Sequence, residues 1–328
     1  MKPAFPSRRR AMGALAALAL LPRAGSANTL HQRPLRVVLP YPPGSPGDVV
    51  LRAVAMRWQA QTGQPLLVEH RSGASGTLGA EAVLQSAPDG HTLLFATSDI
   101  LVNNTALFRN LRYDARRDFK PLAQVGPVPL VLAVPVHLPA DDLVAFTAWA
   151  SARTIAYGSW GEGSHAHIVG EALMRRLGLR AVHVPYRGLA PMLQDLMGAQ
   201  INAGFGVPPS VAPLVAGGRL RALAVTGEAR SVAMPGVPTL LESGYPEPAF
   251  RLRQWAAFMA RSSVPQGLLT QLEFELAAAV AHENTRTVLL SAGFESARAA
   301  GPAQAQALID SDLAVVPALI RELGVLPQ

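Results

Sequence analysis

The sequence predicts an α/β protein of two lobes. Three observations carry that prediction. The chain has 328 residues, enough for two domains of ordinary size. Short apolar runs alternate along it with patterns of helical period. Three glycine-rich loops fall where a strand hands over to a helix: Pro40-Tyr41-Pro42-Pro43-Gly44-Ser45-Pro46-Gly47-Asp48, Arg71-Ser72-Gly73-Ala74-Ser75-Gly76-Thr77, and Gly158-Ser159-Trp160-Gly161-Glu162-Gly163-Ser164. Such a loop aims backbone N–H groups at the partly positive end of a helix, an arrangement that suits an anion.

The elements follow in order. Residues 1–27 read as a secretory signal peptide: Lys2, Arg8, Arg9 and Arg10 precede an apolar run from Ala11 to Leu21, and Gly25-Ser26-Ala27 has the small residues of a cleavage site. That run is about half the roughly 20 residues a spanning helix needs. Ser7-Arg8-Arg9-Arg10 resembles the twin-arginine export signal, although Ala11 and Met12 stand where that signal usually carries a bulky apolar pair. Leu35 to Leu39 is a buried strand, and Val50, Leu51, Val54 and Trp58 recur at helical spacing behind Asp48 in the N-cap position. Leu66 to Val68 is the next strand, and the second loop opens a helix over Leu78 to Ala87 that the turn Pro88-Asp89-Gly90 ends. A third strand, Thr92 to Ala96, leads into Thr97-Ser98-Asp99.

After Pro127-Val128-Pro129 a second set of units begins. Leu130 to Val134 is a strand, Asp141 caps a helix through Ala150, and Thr154 to Tyr157 is a strand before the third loop and the helix Ala166 to Leu177. Val182-His183-Val184, a short helix to Met197, and the strands Ile201 to Phe205 and Leu220 to Val225 complete this half. Beyond Gly244 come one strand, Trp255 to Met259, and helices over Gln266 to Ala281, Thr285 to Ser291 and Pro302 to Leu323. This tail is too small to stand alone and is most economically placed on the first lobe. The expected division is therefore 32–130 plus 250–328 for lobe 1 and 131–249 for lobe 2.

Composition narrows the function. Removing Lys2, Arg8, Arg9, Arg10 and Arg23 with the leader takes the formal charge from +7 to +2, too little to argue for nucleic acid. The chain has no Cys, which excludes disulfides and thiolate metal sites. His165 and His167 are two apart, a spacing that points their rings to different faces of a helix, so no metal is expected. A hydrolase using Ser75, Ser159 or Ser164 is the alternative in another class, but neither a Gly-x-Ser-x-Gly elbow nor a Ser-x-x-Lys pair occurs. Gly161-Glu162-Gly163 lacks the third glycine of a dinucleotide fingerprint, and no cofactor is expected.

Pro43-Gly44 … Asp48, Gly73-Ala74-Ser75-Gly76-Thr77-Leu78-Gly79-Ala80, Pro88-Asp89-Gly90-His91-Thr92-Leu93, Tyr186-Arg187-Gly188 and Pro238-Thr239-Leu240-Leu241-Glu242-Ser243-Gly244 together resemble the Bug family. These are periplasmic solute-binding proteins of tripartite tricarboxylate transporters. The resemblance implies a type II-like periplasmic-binding-protein fold, with two lobes hinged by crossover segments. It implies a small carboxylate in the cleft: a di- or tricarboxylic acid, an acidic amino acid or a nicotinate-like acid. It also implies a monomer delivering to permease subunits in the membrane, with delivery to a sensor ectodomain as the alternative. Carried over by residue, Tyr41, Pro43, Gly44, Ser45, Gly47 and Asp48 would hold one carboxylate, with Ser75, Gly76, Thr97 and Ser98 lining the same lobe. From the other lobe Ser159, Gly163 and Ser164 would close on a second acidic group beside Tyr186, Arg187 and Gly188. Trp160 is either a cleft aromatic or packs on its own lobe. The chain departs from the pattern at Ser45-Pro46, where the family usually has a second glycine, and at Ala199 and Asn202.

Overall fold

In the computed structural model the described residues are 29–295 and 300–325. The expected signal peptide lies outside them. The first sheet contains β1 (Leu35–Leu39), β2 (Leu66–His70), β3 (Thr92–Thr97) and β4 (Phe119–Val128). The second contains β5 (Val131–Pro135), β6 (Thr154–Ser159), β7 (Arg180–Pro185), β8 (Ala203–Gly206) and β9 (Leu220–Val225). The chain then returns to the first sheet as β10 (Gln254–Arg261). The strand orders are β2-β1-β3-β10-β4 and β7-β6-β8-β5-β9. In each sheet three strands are parallel and the next is antiparallel to them: β10 against β3, and β5 against β8.

Helices cover the sheets: α1 (Pro46–Thr62) follows β1, α2 (Thr77–Leu84) follows β2, and α3 (Asn104–Leu107) follows a π-helical turn over Asp99–Asn103. In the second half α4 (Leu143–Ala150), α5 (His165–Arg176), α6 (Leu189–Met197) and α7 (Pro208–Ala216) connect the strands. The tail is α8 (Gln266–Ala281), α9 (Glu283–Ser291) and α10 (Pro302–Glu322). Strands buried on both faces read as unbroken apolar runs, which is why β3 and β10 are legible from sequence. Phe95 on β3 meets Phe258 on β10 with ring centroids 4.8 Å apart, a contact that fixes the returning strand in the first sheet. Trp58, fully buried on α1, shares that core with Leu272 and Leu276 of α8.

Several expectations are corrected. Ser45, not Asp48, is the N-cap of α1, and Asp142, not Asp141, caps α4. Strand β4 was not expected because Pro121 and Pro127 interrupt its pattern. It lies at the sheet edge beyond β10, with one bridge from Gln124 to Ala300 on its outer side, where a missing N–H is tolerated. Helix α7 was also unexpected, since it opens on Pro208 and Pro209 and contains Pro213; prolines in a first turn replace N–H groups that have no partner there anyway. Among the described residues no helix is long and apolar enough to cross a membrane.

Candidate functional site

Parallel strands gather their loops at their carboxyl ends, where open α/β sheets bind ligands. The first loop leaves β1 there and is held by its own side chains. The Ser45 hydroxyl accepts from the Asp48 N–H at 3.4 Å, and Asp48 Oδ2 accepts from the Gly44 N–H at 2.9 Å. Asp48 is buried, and its other contacts are His70 Nε2 at 2.9 Å and Arg52 Nε at 3.1 Å. Burial alone would raise this carboxyl. The bonds from Gly44, Arg52 and His70 outweigh it and hold the group below the usual carboxylate range. Both Asp48 oxygens are thus committed within the first lobe. Pro43 and Gly44 are exposed, while Ser45 and Gly47 are half-buried.

Tyr41 and Thr97 meet through their hydroxyls at 2.6 Å. Burial first, and then the charge of Asp99, push the Tyr41 phenol far up, so it stays neutral and can donate or accept. Ser98 is fully buried, with its hydroxyl 3.4 Å from the Trp255 N–H. In the second loop Ser75 is exposed with a left-handed φ of 51°, and its carbonyl accepts from Asn104 Nδ2 at 3.0 Å. Gly76 has φ +86°, and a Cβ there would lie 2.5 Å from Ile100 Cδ1, so only glycine lets α2 begin this close to the π turn.

The third loop is knotted by hydroxyls. Ser159 Oγ and Ser164 Oγ both donate to the Gly161 carbonyl, at 2.9 and 2.7 Å. Ser164 is the N-cap of α5, accepting from the His167 N–H at 3.3 Å. His183 Nε2 lies 2.7 Å from Ser159 Oγ, and the His183 ring stacks on His167 with centroids 3.6 Å apart. The Ser159 hydroxyl is thus held between the Gly161 carbonyl and the His183 ring. The Gly163 N–H donates to His167 Nδ1 at 3.0 Å. Burial first, then the neighbouring His167, depress His183 to about 3, and burial depresses His167 as well. Trp160 is half-buried against a core cluster that includes Tyr157 and Phe205.

A serine beside an imidazole raises the hydrolase alternative directly. Ser159 is fully buried, and among the described residues no carboxylate contacts His183 to orient it. The pair therefore braces the loop. Beyond β7, Tyr186 donates to Asp195 Oδ2 at 2.7 Å, and burial and that carboxylate raise its phenol to about 12. Arg187 is exposed, and among the described residues no carboxylate pairs with it. Gly188 is the N-cap of α6.

The helix ends at the loops therefore divide into two kinds. Helices α1 and α5 are capped by side chains of the protein, Ser45 and Ser164. Helices α2 and α6, preceded by Gly76 and Gly188, have no side-chain cap. The Thr77 N–H of α2 already donates to the Ala74 carbonyl and Pro191 of α6 has no N–H, so an anion at these ends would meet the remaining first-turn N–H groups.

A family model described as "Tripartite tricarboxylate transporter family receptor" matches residues 50–325. The chain belongs to this receptor family. The family is one of solute-binding receptors rather than of enzymes. The receptor is 38% identical over 238 residues to protein BugT of Bordetella pertussis, covering 72% of each chain. It is 33% identical over 244 residues to a UPF0065 protein of Cupriavidus necator from the gbd 5' region, covering 73% of this chain and 74% of that one. Among solved structures, Rpa4515 of R. palustris with adipate superposes with TM-score 0.82 at 28% identity, covering 90% of this chain and 99% of that one. The periplasmic binding protein BugD superposes with TM-score 0.80 at 27% identity, covering 90% and 99%. MatC from Rhodopseudomonas palustris with bound malate gives TM-score 0.76 at 27% identity, covering 88% and 99%. These two-lobed neighbours agree with the fold class expected for the receptor.

Sequence reasoning missed Asn103, His183 and Gln254 and did not use Asp99. Asp99 follows the third strand of the first sheet, and Gln254 Nε2 donates to its Oδ2 at 2.8 Å. A buried acid directly after a strand was the available signal. Nothing in the spacing links it to residues more than sixty positions away.

Proposed function

We propose that this receptor captures a small carboxylate in the cleft between its lobes, in the periplasm, and delivers it without chemical change to the membrane subunits of a tripartite tricarboxylate-type transporter. One observation carries the reading: the uncapped amino ends of α2 and α6 come from different sheets, at the carboxyl ends of β2 and β7, and the exposed Arg187 stands beside the second. In this reading the acid is received at the α2 end by the second loop, near Ser75 and Gly76, with Tyr41 and Thr97 beside it. Closure then brings up Arg187 and the α6 end. N–H donors and a guanidinium fixed before binding hold an anion through charge-assisted bonds, and closure strengthens them by excluding water. In this reading the first loop braces the site, since its Gly44, Ser45 and Asp48 N–H groups already go to Asp48, Pro42 and Ser45. The relatives bound to adipate and malate support a carboxylate as the ligand class. The lobe boundaries we propose are 32–130 with 250–328, and 131–249. The leader at 1–27 would direct export.

A thermal-shift screen against mono-, di- and tricarboxylates, acidic amino acids and aromatic acids tests the reading. Protein stripped by unfolding and refolding is used so that no carried-over ligand remains. A ligand at ~1,000 times its dissociation constant stabilises by about 4 kcal/mol, and each kcal/mol raises the midpoint by roughly 2–4 °C. A shift confined to a narrow set of acids is expected. A flat response to every acid would reject a carboxylate ligand.

A further inference from the structure

Two stretches of chain join the sheets, from β4 to β5 and from β9 to β10. Side chains make a third connection, at the amino end of α5. Asp99, which follows β3 in the first sheet, accepts through Oδ1 from the His165 backbone N–H at 3.1 Å, from His165 Nδ1 at 2.5 Å and from Asn103 Nδ2 at 3.1 Å. Gln254 Nε2, on β10, holds Oδ2 at 2.8 Å. Asn103 also donates to the Gly163 carbonyl at 3.0 Å. Leu107 of α3 fills the space that Gly163 leaves, since a Cβ on that glycine would lie 2.1 Å from Leu107 Cδ1. His165 and Asn103 are fully buried and Asp99 is 9% exposed. Elements that follow β3 in the first sheet thus grip a helix that follows β6 in the second.

The rest of α5 is held by the same part of the molecule. Arg175 Nη1 donates to the Glu322 carbonyl of α10 at 3.3 Å, and Arg176 pairs with Glu247 ahead of β10. Ile168, Val169 and Leu173 of α5 share one continuous core with Ile100 and Leu101 of the π-helical turn and with Val316 and Ile320 of α10. Helix α10 itself packs on β4 and is bonded to β10 through Asp312 Oδ2, which accepts from Trp255 Nε1 at 2.7 Å. The ends of α2 and α6 differ: among the described residues no hydrogen bond joins the second loop or α2 to Tyr186, Arg187, Gly188 or α6.

We propose, on the two-lobed reading above, that the Asp99–His165 junction is a fixed pivot of closure: it stays made when the cleft opens, and the lobes rock about it and the two chain crossings while the ends of α2 and α6 swing. Parting the junction would expose the apolar core beside it and strip Asp99 of both His165 donors. Parting α2 from α6 uncovers loops whose Gly73, Ser75 and Arg187 already face solvent. Rotation about the junction is therefore the cheaper opening.

The chain has no Cys, so two introduced cysteines report one distance by double electron–electron resonance of spin labels in the full mature protein, with no ligand added. Arg109→Cys with Glu162→Cys spans the pivot, at exposed positions within two residues of Leu107 and Gly163. Ser72→Cys with Ala190→Cys spans the swinging ends, also at exposed positions. A single narrow distance is expected at the pivot and a broad or two-peaked distribution at the ends; Asp99→Ala should broaden the pivot distance. Equal widths in the two wild-type pairs, or a pivot distance that Asp99→Ala leaves narrow, overturns the proposal. Should Asp99→Ala not fold, hydrogen exchange of the His165 amide in wild type decides. A fixed junction exchanges only through global unfolding, so its rate rises with urea as steeply as that of Leu94 in β3, whereas a rate independent of urea means that the junction opens with the lobes and refutes the pivot. Since neither measurement uses a ligand, failure of the pivot leaves the carboxylate reading standing, and a flat thermal screen leaves the pivot standing.

Discussion

Replacing His183 by Gln isolates what the stacked imidazoles contribute. Gln keeps a donor for Ser159 Oγ and removes the titrating ring. In the folded protein His183 is depressed from 6.5 to about 3, by burial first and then by His167. Its folded pKa lies below the unfolded one, so between the two values the unfolded chain holds a proton the native state refuses. The contribution is complete above about pH 6.5 and falls as pH falls toward 3. At 1.36 kcal/mol per unit, the span from about pH 6.5 to 5 sets a ceiling of roughly 2 kcal/mol. The ring is partly solvated, and screening reduces this to ~1 kcal/mol. Urea unfolding followed by tryptophan fluorescence at pH 7 and pH 5 measures it. Wild type should lose ~1 kcal/mol more than His183→Gln over that interval. This window lies above the range where carboxylates such as Asp48 begin to protonate. Equal losses in the two proteins would refute the account of a neutral, desolvated stack.

Three further outcomes are expected. Ser164→Ala removes the α5 cap and one of the two hydroxyls on the Gly161 carbonyl, and should cost about 1 kcal/mol by thermal denaturation, with no loss meaning that the cap is replaced by water. Gly163→Ala drives a Cβ into Leu107 Cδ1 at a φ of +69°, and should cost ~2–3 kcal/mol. Adding Leu107→Ala should not make that pair additive, because the clash disappears while the backbone strain remains; a double-mutant cycle reads the difference. Arg187→Ala, at an exposed position, should leave the melting temperature unchanged and weaken the carboxylate chosen by the thermal screen by about 10-fold; retained affinity would make Arg187 a surface residue.

The strands that run through two-sided cores were legible because burial dictates their composition. Leu35 to Leu39 has the limits read from sequence, as do the helix Gln266–Ala281 and, at the edge of the second sheet, Leu220 to Val225. Where a local rule competed with tertiary context, the reading slipped. Pro121 and Pro127 hid β4, because nothing local says that a strand lies at an edge. Ser45 and Asp48 are both good N-caps, and the choice went to Ser45 because Asp48 is drawn to the Gly44 N–H, Arg52 and His70. The glycine loops themselves were visible, but which of them had spare donors was not. That depends on Asp99 reaching His165 and on His183 reaching Ser159, contacts that no sequence spacing encodes.

The two sheets correspond strand for strand, and the correspondence explains the division among the loops. Strand orders β2-β1-β3-β10-β4 and β7-β6-β8-β5-β9 match β1 with β6 and β2 with β7. The loops to α1 and α5 are therefore equivalent, and so are those to α2 and α6. Both members of the first pair are capped by a serine and carry a chain carboxylate at the helix end: Asp48 on the Gly44 N–H, Asp99 on the His165 N–H. Both members of the second pair begin at a glycine without a side-chain cap. An anion site needs donors that are free yet rigid, and these two requirements conflict within one loop. The fold meets them in neighbouring loops: the outer strand of each sheet leads to a helix end without a side-chain cap, and the adjacent inner strand carries a loop bonded to itself that braces it. In the second lobe the bracing is direct, since the Tyr186 N–H donates to the Ser159 carbonyl at 3.0 Å. In the first, the Arg71 N–H donates to the Leu39 carbonyl at 2.9 Å at the equivalent step. Loosening the braced loops should therefore degrade ligand affinity without touching the ligand, through the two helix ends they hold in place.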